Sequence, residues 1–325
     1  MAASRWAAVF LGGAPFALGV LGLRTACGDR ASAASSAACE GYWDWPVTTL
    51  NVVYLPTFCV LFWLHALRCG STWLIDPYWT LIPLHIHAYY ASHPRAVDPR
   101  SGRALLAAAL LYAWSARLSH NYWRREGWAP GKREDWRFAD MRRDFGDRAW
   151  AVLSLPVAYF SQQGMLVGLT LPLQAVLLRD DAGPRPLGAT DLAAAAVAVA
   201  GLEIARRADA ALHAFAQTKR PGDVLDAGLW RISRHPNHLG EQLFWVGLAG
   251  LAVAAEGGWT PCAAGLLLNH VPDTLATLPL IDARMARNKH RIRNWLAYEA
   301  QVPMLYPTPS SLRRLFEAPA GAKAD

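Results

Sequence analysis

Long blocks of apolar residues set the main constraint on how this chain can fold. Hydrophobic residues make up 53% of the 325 residues and charged residues only 18%, and the apolar residues collect into blocks instead of alternating along the chain. A helix needs about 20 mostly apolar residues to cross the hydrocarbon of a bilayer. We therefore predict an all-α, polytopic helical membrane bundle of about seven to eight transmembrane helices. The predicted spans are residues 6–23, 47–67, 72–90, 104–118, 149–178, 187–205, 239–255 and 260–280.

Some of these blocks differ from an ordinary span. The block 6–23 follows Arg5 and is long for the core of a cleaved signal peptide, so we expect it to be retained as the first span, with cleavage as the alternative. The block 104–118 is short. The block 149–178 is overlong and contains Pro156 and Pro172, which predicts a broken or re-entrant element.

Lys and Arg concentrate in three stretches that the predicted topology places on one side of the membrane, namely residues 124–148, 206–234 and 284–293. Basic loops stay on the cytoplasmic side during insertion, so this side is predicted to be cytoplasmic. The net charge of +7 thus lies in loops and not on a face that could follow nucleic acid. We expect membrane lipids, and no nucleic acid, among the partners. Cys27 and Cys39 share a loop on the opposite side and are placed to form a disulfide if that loop is lumenal.

The densest group of polar side chains is the segment GLWRISRHPNHLGE, residues 228–241, which leads from a basic loop into an apolar block. Uncompensated charges are expensive at the edge of a bilayer, so this concentration needs a partner. Pro236 interrupts the approach, and Asn237 is predicted to cap a helix that begins near His238. The positive end of that helix favours an anionic ligand. The segment therefore predicts an anion-binding entrance built from Arg231, Arg234, His235 and Asn237.

This segment closely resembles the signature of the steroid 5α-reductase-like family, in the branch of membrane proteins grouped as DUF1295. His238 stands where that family usually has Tyr. Other stretches agree with the family as well: Arg117-Leu-Ser, GKREDWRF at residues 131–138, Asp209, and PMLYP at residues 303–307. The resemblance covers roughly residues 74–307.

The resemblance implies a single membrane domain over residues 1–325, in which the region 74–307 encloses NADPH on the cytoplasmic side. It also implies a hydrophobic, lipid-like substrate that enters from the membrane, and a location in the endoplasmic reticulum. The family positions that hold the cofactor fall here on Asn237, Glu241, Arg117, Arg124, Arg125 and Asp209. Arg231, Arg234, His235 and Arg284 join them by charge and position.

Simpler roles stay open for several of these residues. Arg124 and Arg125 could serve membrane topology alone, and Glu241 could stabilise the first turn of its own helix. Asp209 could pair with Arg206 on the same helix face.

A second group, Ile75-Asp76-Pro77-Tyr78-Trp79, lies near the start of the third predicted span. An ionisable residue inside a membrane segment suggests a function by default. We predict Asp76 as a proton donor or substrate anchor and Tyr78 as a phenol that polarises a carbonyl. The alternative is that Asp76 caps a helix whose second position is Pro77. The histidines and cysteines of the chain lack the spacing of a metal site, so no metal is expected.

Three functions are consistent with these features. The leading one is a membrane-embedded, NADPH-dependent reductase of a conjugated carbon–carbon double bond in a steroid, sterol, polyprenoid or fatty acyl lipid. The second is an S-adenosylmethionine-dependent methyltransferase of the isoprenylcysteine or phospholipid type, whose signature also contains Arg-His-Pro. The third is a non-catalytic lipid-binding membrane protein that kept the fold.

Overall fold

The computed structural model describes residues 2–29, 31, 36–178 and 186–316 and is helical, with no strand in those ranges. Its α-helices are α1 (Ala2–Leu11), α2 (Ala14–Cys27), α3 (Ala37–Asp44), α4 (Pro46–Tyr54), α5 (Leu61–Cys69), α6 (Ile75–Ser92), α7 (Gly102–Arg125), α8 (Trp136–Phe145), α9 (Asp147–Ser154), α10 (Ser161–Leu177), α11 (Ala189–Thr218), α12 (Pro236–Glu256), α13 (Leu267–Pro272), α14 (Leu278–Ala286), α15 (Ile292–Glu299) and α16 (Pro309–Arg313). The all-helical prediction is confirmed for these residues.

Three helical stretches of the described residues are long and apolar enough to cross a membrane: Ala3–Cys27, Pro46–Cys69 and Asp147–Leu177. They coincide with three of the eight predicted spans. The prediction of a membrane protein is thus supported, while the count of seven to eight spans stays a prediction.

Two of these spans contain a wide turn at a proline. π-Helical turns occupy Leu55–Val60 and Leu155–Phe160, and each has proline as its second residue. Proline has no N–H to donate and its ring clashes with the carbonyl four residues earlier, so the helix widens locally instead of ending. The overlong block 149–178 is accordingly one helical stretch with a π-turn, and the predicted break does not occur.

The remaining predicted spans differ in how regular they are. Helices α6, α7, α11 and α12 cover four of them. The last block, 260–280, is divided among a 3₁₀ segment (Pro261–Leu266), α13, a π-turn (Asp273–Thr277) and the start of α14.

By internal contacts the chain divides into two compact units. Unit 1 comprises Met1–Asp191 and Ala249–Leu266, and unit 2 comprises Leu192–Leu248 and Leu267–Asp325. In unit 1, Cys27 and Cys39 form a disulfide with a Cα–Cα distance of 5.1 Å, as their shared loop predicted. The single membrane domain over the whole chain stays a prediction.

Small residues let α11 and α12 approach closely within unit 2. A Cβ atom placed on Gly240 would lie 2.5 Å from the backbone of Gly201 and of Ala205, and one on Gly247 would lie 2.5 Å from the nitrogen of Ala198. Glycine and alanine at a helix crossing permit such backbone contact. Later residues of α11 meet earlier residues of α12, so the two helices are antiparallel. This register brings Asp209, one turn after Ala205, to the end of the pair where α12 begins.

Candidate functional site

The segment 228–241 folds as a 3₁₀ turn, Gly228–Arg231, followed by a short connection into α12. Gly228 has φ of +55°, a conformation that a residue with a Cβ atom rarely adopts. Helix α12 begins at Pro236, where the fixed φ of proline suits the first turn and its missing N–H costs nothing. The carbonyl of His235 accepts the first helical bond, from the N–H of Leu239 at 3.0 Å.

This start corrects one prediction about Asn237. Asn237 lies inside the first turn of α12 and does not cap it. Its side-chain oxygen Oδ1 is buried and has no hydrogen-bond partner among the described residues. A buried amide oxygen without a donor is costly, so this atom is suited to accept a hydrogen bond from a bound group.

Arg234 and His235 are held by one carboxylate that the sequence did not reveal. The Asp282 carboxylate on α14 lies 2.8 Å from Nη2 of Arg234 and 2.9 Å from Nε2 of His235. Arg234 also lies 3.4 Å from the Glu299 carboxylate and donates to the Val302 carbonyl. Burial lowers the pKa of the His235 imidazole, so the ring is neutral and its Nε2–H donates to Asp282.

These contacts define the electrostatics of the entrance. The charge of Arg234 is compensated inside the protein, and it fixes the beginning of α12 against α14. Arg231 and Arg314 share a second acid, because Asp226 lies 2.7 Å from Nη2 of Arg314 and 4.0 Å from Nε of Arg231. The prediction that Arg231, Arg234 and His235 contact phosphate or ribose stays a prediction.

Neighbouring side chains hold the 3₁₀ turn in place. The Tyr298 hydroxyl donates to the Trp230 carbonyl at 2.6 Å, and the Trp230 indole donates to the Ala208 carbonyl at 3.2 Å. Asp209, next in the chain to Ala208, is only 7% exposed. Unit 2 therefore places Asp209 and Asn237 at the same end of the helix pair, and their role in holding a cofactor stays a prediction. Arg206 forms its ion pair with Glu203 at 2.7 Å.

A basic segment follows the helix that carries Asp282. Arg284 lies exposed on the last turn of α14, and Arg287, Lys289, Arg291 and Arg293 follow without an intervening acid. Arg291 donates to the Asp223 carbonyl at 3.0 Å, which anchors this segment within unit 2. Such a run of cations can bind phosphate groups.

A polar network also runs from the first turn of α12. Nδ1 of His238 lies 3.1 Å from the Asp273 carboxylate, which accepts a hydrogen bond from Gln242 at 3.2 Å. The Tyr306 hydroxyl donates to the Gln242 side-chain oxygen and lies 2.7 Å from Nε2 of His270. His238 is thus well satisfied where the related signature has Tyr. No group of three potential metal ligands occurs among the described residues.

The other three predicted cofactor arginines lie on α7 in unit 1. Arg124 donates to the Asn121 side chain at 2.9 Å. Arg125 lies 5.8 Å above the Tyr122 ring and 3.5 Å from the Glu126 carboxylate. Arg117 is half-buried on the same helix.

Asp76 and Tyr78, the predicted catalytic pair, lie in the first turn of α6. The helix starts at Ile75 and its cap position is Leu74, so Asp76 does not cap it. Asp76 lies in the electrostatic field of two acids, Asp135 and Glu126, as well as of Arg125 and Arg137. The Tyr78 hydroxyl donates to the Val9 carbonyl at 2.8 Å, so its proton is already committed to the first span.

Tyr78 also lines a cavity of about 500 Å³ within unit 1. Its walls come from the first span, from α6 and from the end of α7, and they include Phe10, Ala14, His85 and Trp123. We call this space the N-terminal cavity. Its volume is within the range of small-molecule sites.

Comparison with known proteins shows the family of the chain. Residues 62–302, well over half of its length, match the family described as "Protein of unknown function (DUF1295)". The chain belongs to that family. The matched region agrees with the resemblance predicted over residues 74–307.

A relative is the uncharacterized protein C594.04c of Schizosaccharomyces pombe, which is 26% identical over 213 residues. The alignment covers 58% of this chain, and the chain spans about three fifths, 61%, of that relative. No solved structure matches the chain.

Proposed function

We propose that this DUF1295 member is a membrane-embedded reductase that uses NADPH to reduce a conjugated carbon–carbon double bond in a lipid-like substrate. We place it in the endoplasmic reticulum membrane with the cofactor side cytoplasmic. The observation that carries the proposal is the buried, unpartnered Oδ1 of Asn237 at the start of α12.

The residues of unit 2 fit a dinucleotide in two respects. Oδ1 of Asn237 is a hydrogen-bond acceptor, so the ligand group that faces it must be a donor. The carboxamide N–H₂ of nicotinamide and a ribose hydroxyl are such donors. The cations from Arg284 to Arg293 supply the charge that phosphates require. S-Adenosylmethionine offers amine and hydroxyl donors as well but no phosphate, so this basic segment favours the dinucleotide.

The chain's own residues would then bind and orient the cofactor while its nicotinamide supplies a hydride. Asn237 orients one donor group. Asp282 holds Arg234 and His235, and with them the first turn of α12, in a fixed position. Asp76 is the acid that we propose to anchor or protonate the substrate carbonyl.

Cofactor binding by detergent-purified protein tests this proposal. We expect NADPH to bind more tightly than NADH, because the basic segment 284–293 can pair with the additional phosphate of NADPH. We expect S-adenosylmethionine not to bind. Asn237→Ala leaves the cofactor's donor unpaired and should weaken NADPH binding by about 1–3 kcal/mol, roughly 5- to 150-fold.

Gln217→Ala is the matched control, because Gln217 carries the same amide group, is exposed on the last turn of α11 in the same unit, and belongs neither to the α12 entrance nor to the basic segment 284–293. It should leave affinity unchanged. Binding of S-adenosylmethionine without NADPH would replace the reductase by the methyltransferase, and binding of neither would favour the non-catalytic lipid-binding protein. Asp76→Asn should remove turnover of conjugated carbonyl lipids while NADPH affinity stays intact; unchanged turnover would remove Asp76 from the mechanism.

A further inference from the structure

The walls of the N-terminal cavity come from the first span, from α6 and from the end of α7, and none of the residues that line it is an acid, a lysine or an arginine. The first span contributes apolar residues such as Val9, Phe10 and Ala14, and the indoles of Trp6 and Trp123 stack with centroids 5.0 Å apart at its side. Phe10 lines the cavity and is 75% exposed, so the cavity reaches the surface there. An anionic head group would lose its hydration without gaining a cation, which excludes it as an occupant. The occupant is therefore neutral and largely apolar.

Besides the indoles of Trp6 and Trp123, three polar side chains line the wall, namely Tyr78, Ser119 and His85, and each of these three donates its proton to another group of the protein. The Tyr78 hydroxyl donates to the Val9 carbonyl at 2.8 Å. Thr80 donates its single proton to the Pro77 carbonyl at 2.9 Å, so the 2.6 Å contact between Thr80 and Ser119 takes its proton from Ser119. Tyr78 and Ser119 thus offer only oxygen lone pairs to the cavity.

His85 offers an acceptor for the same reason. Its Nδ1 lies 2.9 Å from the Leu81 carbonyl, and a carbonyl oxygen can only accept, so Nδ1 carries the proton. In the neutral ring Nε2 is then an acceptor, and it makes no hydrogen bond to any residue that the structure describes. Nε2 packs against Gly13, where a Cβ atom would lie only 2.2 Å away. The absence of a side chain at Gly13 leaves this nitrogen accessible from the cavity.

We propose that the N-terminal cavity binds a neutral lipid alcohol whose hydroxyl donates a hydrogen bond to Nε2 of His85. A hydroxyl matches this wall better than a carbonyl, because it donates to the acceptors and can still accept from an indole N–H. The apolar body of the alcohol lies along the first span. The inference goes beyond the proposed reductase, since it rests on unit 1 alone and needs no cofactor.

Photolabelling in nanodiscs tests the proposal on the complete chain. The probe is hexadecanol that carries a diazirine and an alkyne, and labelled peptides are identified by mass spectrometry. We expect labels on the first span and on α6. Unlabelled hexadecanol should compete at least about 5-fold better than its methyl ether, because the ether lacks the donor and one hydrogen bond is worth about 1 kcal/mol. Hexadecanoate should compete poorly.

Two variants locate the effect. Ala14→Trp fills the cavity and should abolish labelling, whereas Leu18→Trp adds the same side chain one turn along the helix, at an exposed position outside the cavity wall, and should not. His85→Phe keeps a ring but removes the acceptor, so alcohol and ether should then compete equally.

Equal competition by alcohol and ether in the unaltered protein overturns the proposal, and this measurement needs no variant to fold. Labelling that survives Ala14→Trp, with a thermal midpoint equal to that of Leu18→Trp, overturns it too. Preference for hexadecanoate would mean that the cavity binds an anion, against the charge argument.

Discussion

Replacement of Asp282 by Asn isolates the charge that holds the start of α12. In the protein each carboxylate oxygen of Asp282 has one donor, Arg234 at 2.8 Å and His235 at 2.9 Å. The amide of Asn keeps the shape of the side chain. Its oxygen can accept from Arg234, and its N–H₂ can donate to His235 if the imidazole changes tautomer. Both hydrogen bonds can therefore survive, and the negative charge is what disappears.

The size of the effect follows from what remains around Arg234. Leaving a buried charge without its partner costs about 3–5 kcal/mol. Arg234 keeps the Glu299 carboxylate at 3.4 Å and the carbonyls of Glu299 and Val302. We therefore expect a smaller loss, about 2–3 kcal/mol in the free energy of unfolding. With about 2.1 cal/mol/K of unfolding entropy per residue, the 325 residues give about 0.7 kcal/mol/K, so the thermal midpoint should fall by about 3–4 °C.

Thermal unfolding of the detergent-purified protein, followed by tryptophan fluorescence, measures this change. Trp230 and Trp295 are buried in the same unit and report on it. Glu203→Gln is the control, because it removes an exposed acid from the Arg206 and Arg207 pairs and should not shift the midpoint. A midpoint for Asp282→Asn equal to that of the unaltered protein would refute the internal compensation of Arg234.

Three further predictions follow from other contacts. The Cys27–Cys39 disulfide links residues 12 apart in the chain, so the reduced protein should have a free energy of unfolding about 3 kcal/mol below that of the oxidised protein. Alkylation of both thiols in protein purified without reductant would contradict the disulfide. Burial lowers the pKa of His235 in the folded protein, so below a pH of about 6.5 the unfolded protein binds a proton at this residue more readily than the folded protein does. The free energy of unfolding should therefore fall as the pH drops through that range, and His235→Gln should remove this part of the pH dependence. Gly240→Ala places a Cβ atom 2.5 Å from neighbouring backbone and should cost about 1–3 kcal/mol, whereas Gly164→Ala, with open space around it, should cost nothing in the same thermal assay.

The apolar blocks and the local motifs determined much of this protein without its tertiary structure. Block length and composition are local properties, and they predicted the three spans that the structure supports. The signature at residues 228–241 predicted the family over nearly the matched range. The shared loop of Cys27 and Cys39 predicted their disulfide. Glycines at 201, 240 and 247 permit a close helix crossing, but small residues alone do not tell which helices cross.

Tertiary structure alone decided how charges and protons are distributed. Asp282 and His235 are 47 residues apart, and no local pattern tells which acid will compensate a given arginine. Asp282 lies just after the last apolar block, 260–280, and an acid at the edge of an apolar block needs a partner, but that reasoning does not name the partner. The acceptor character of His85 likewise depends on Leu81 and Gly13, which are brought to the imidazole by a helical turn and by packing of the first span. Sequence fixes which groups can be buried together, whereas the direction of each proton depends on atoms that only the folded chain brings within bonding distance.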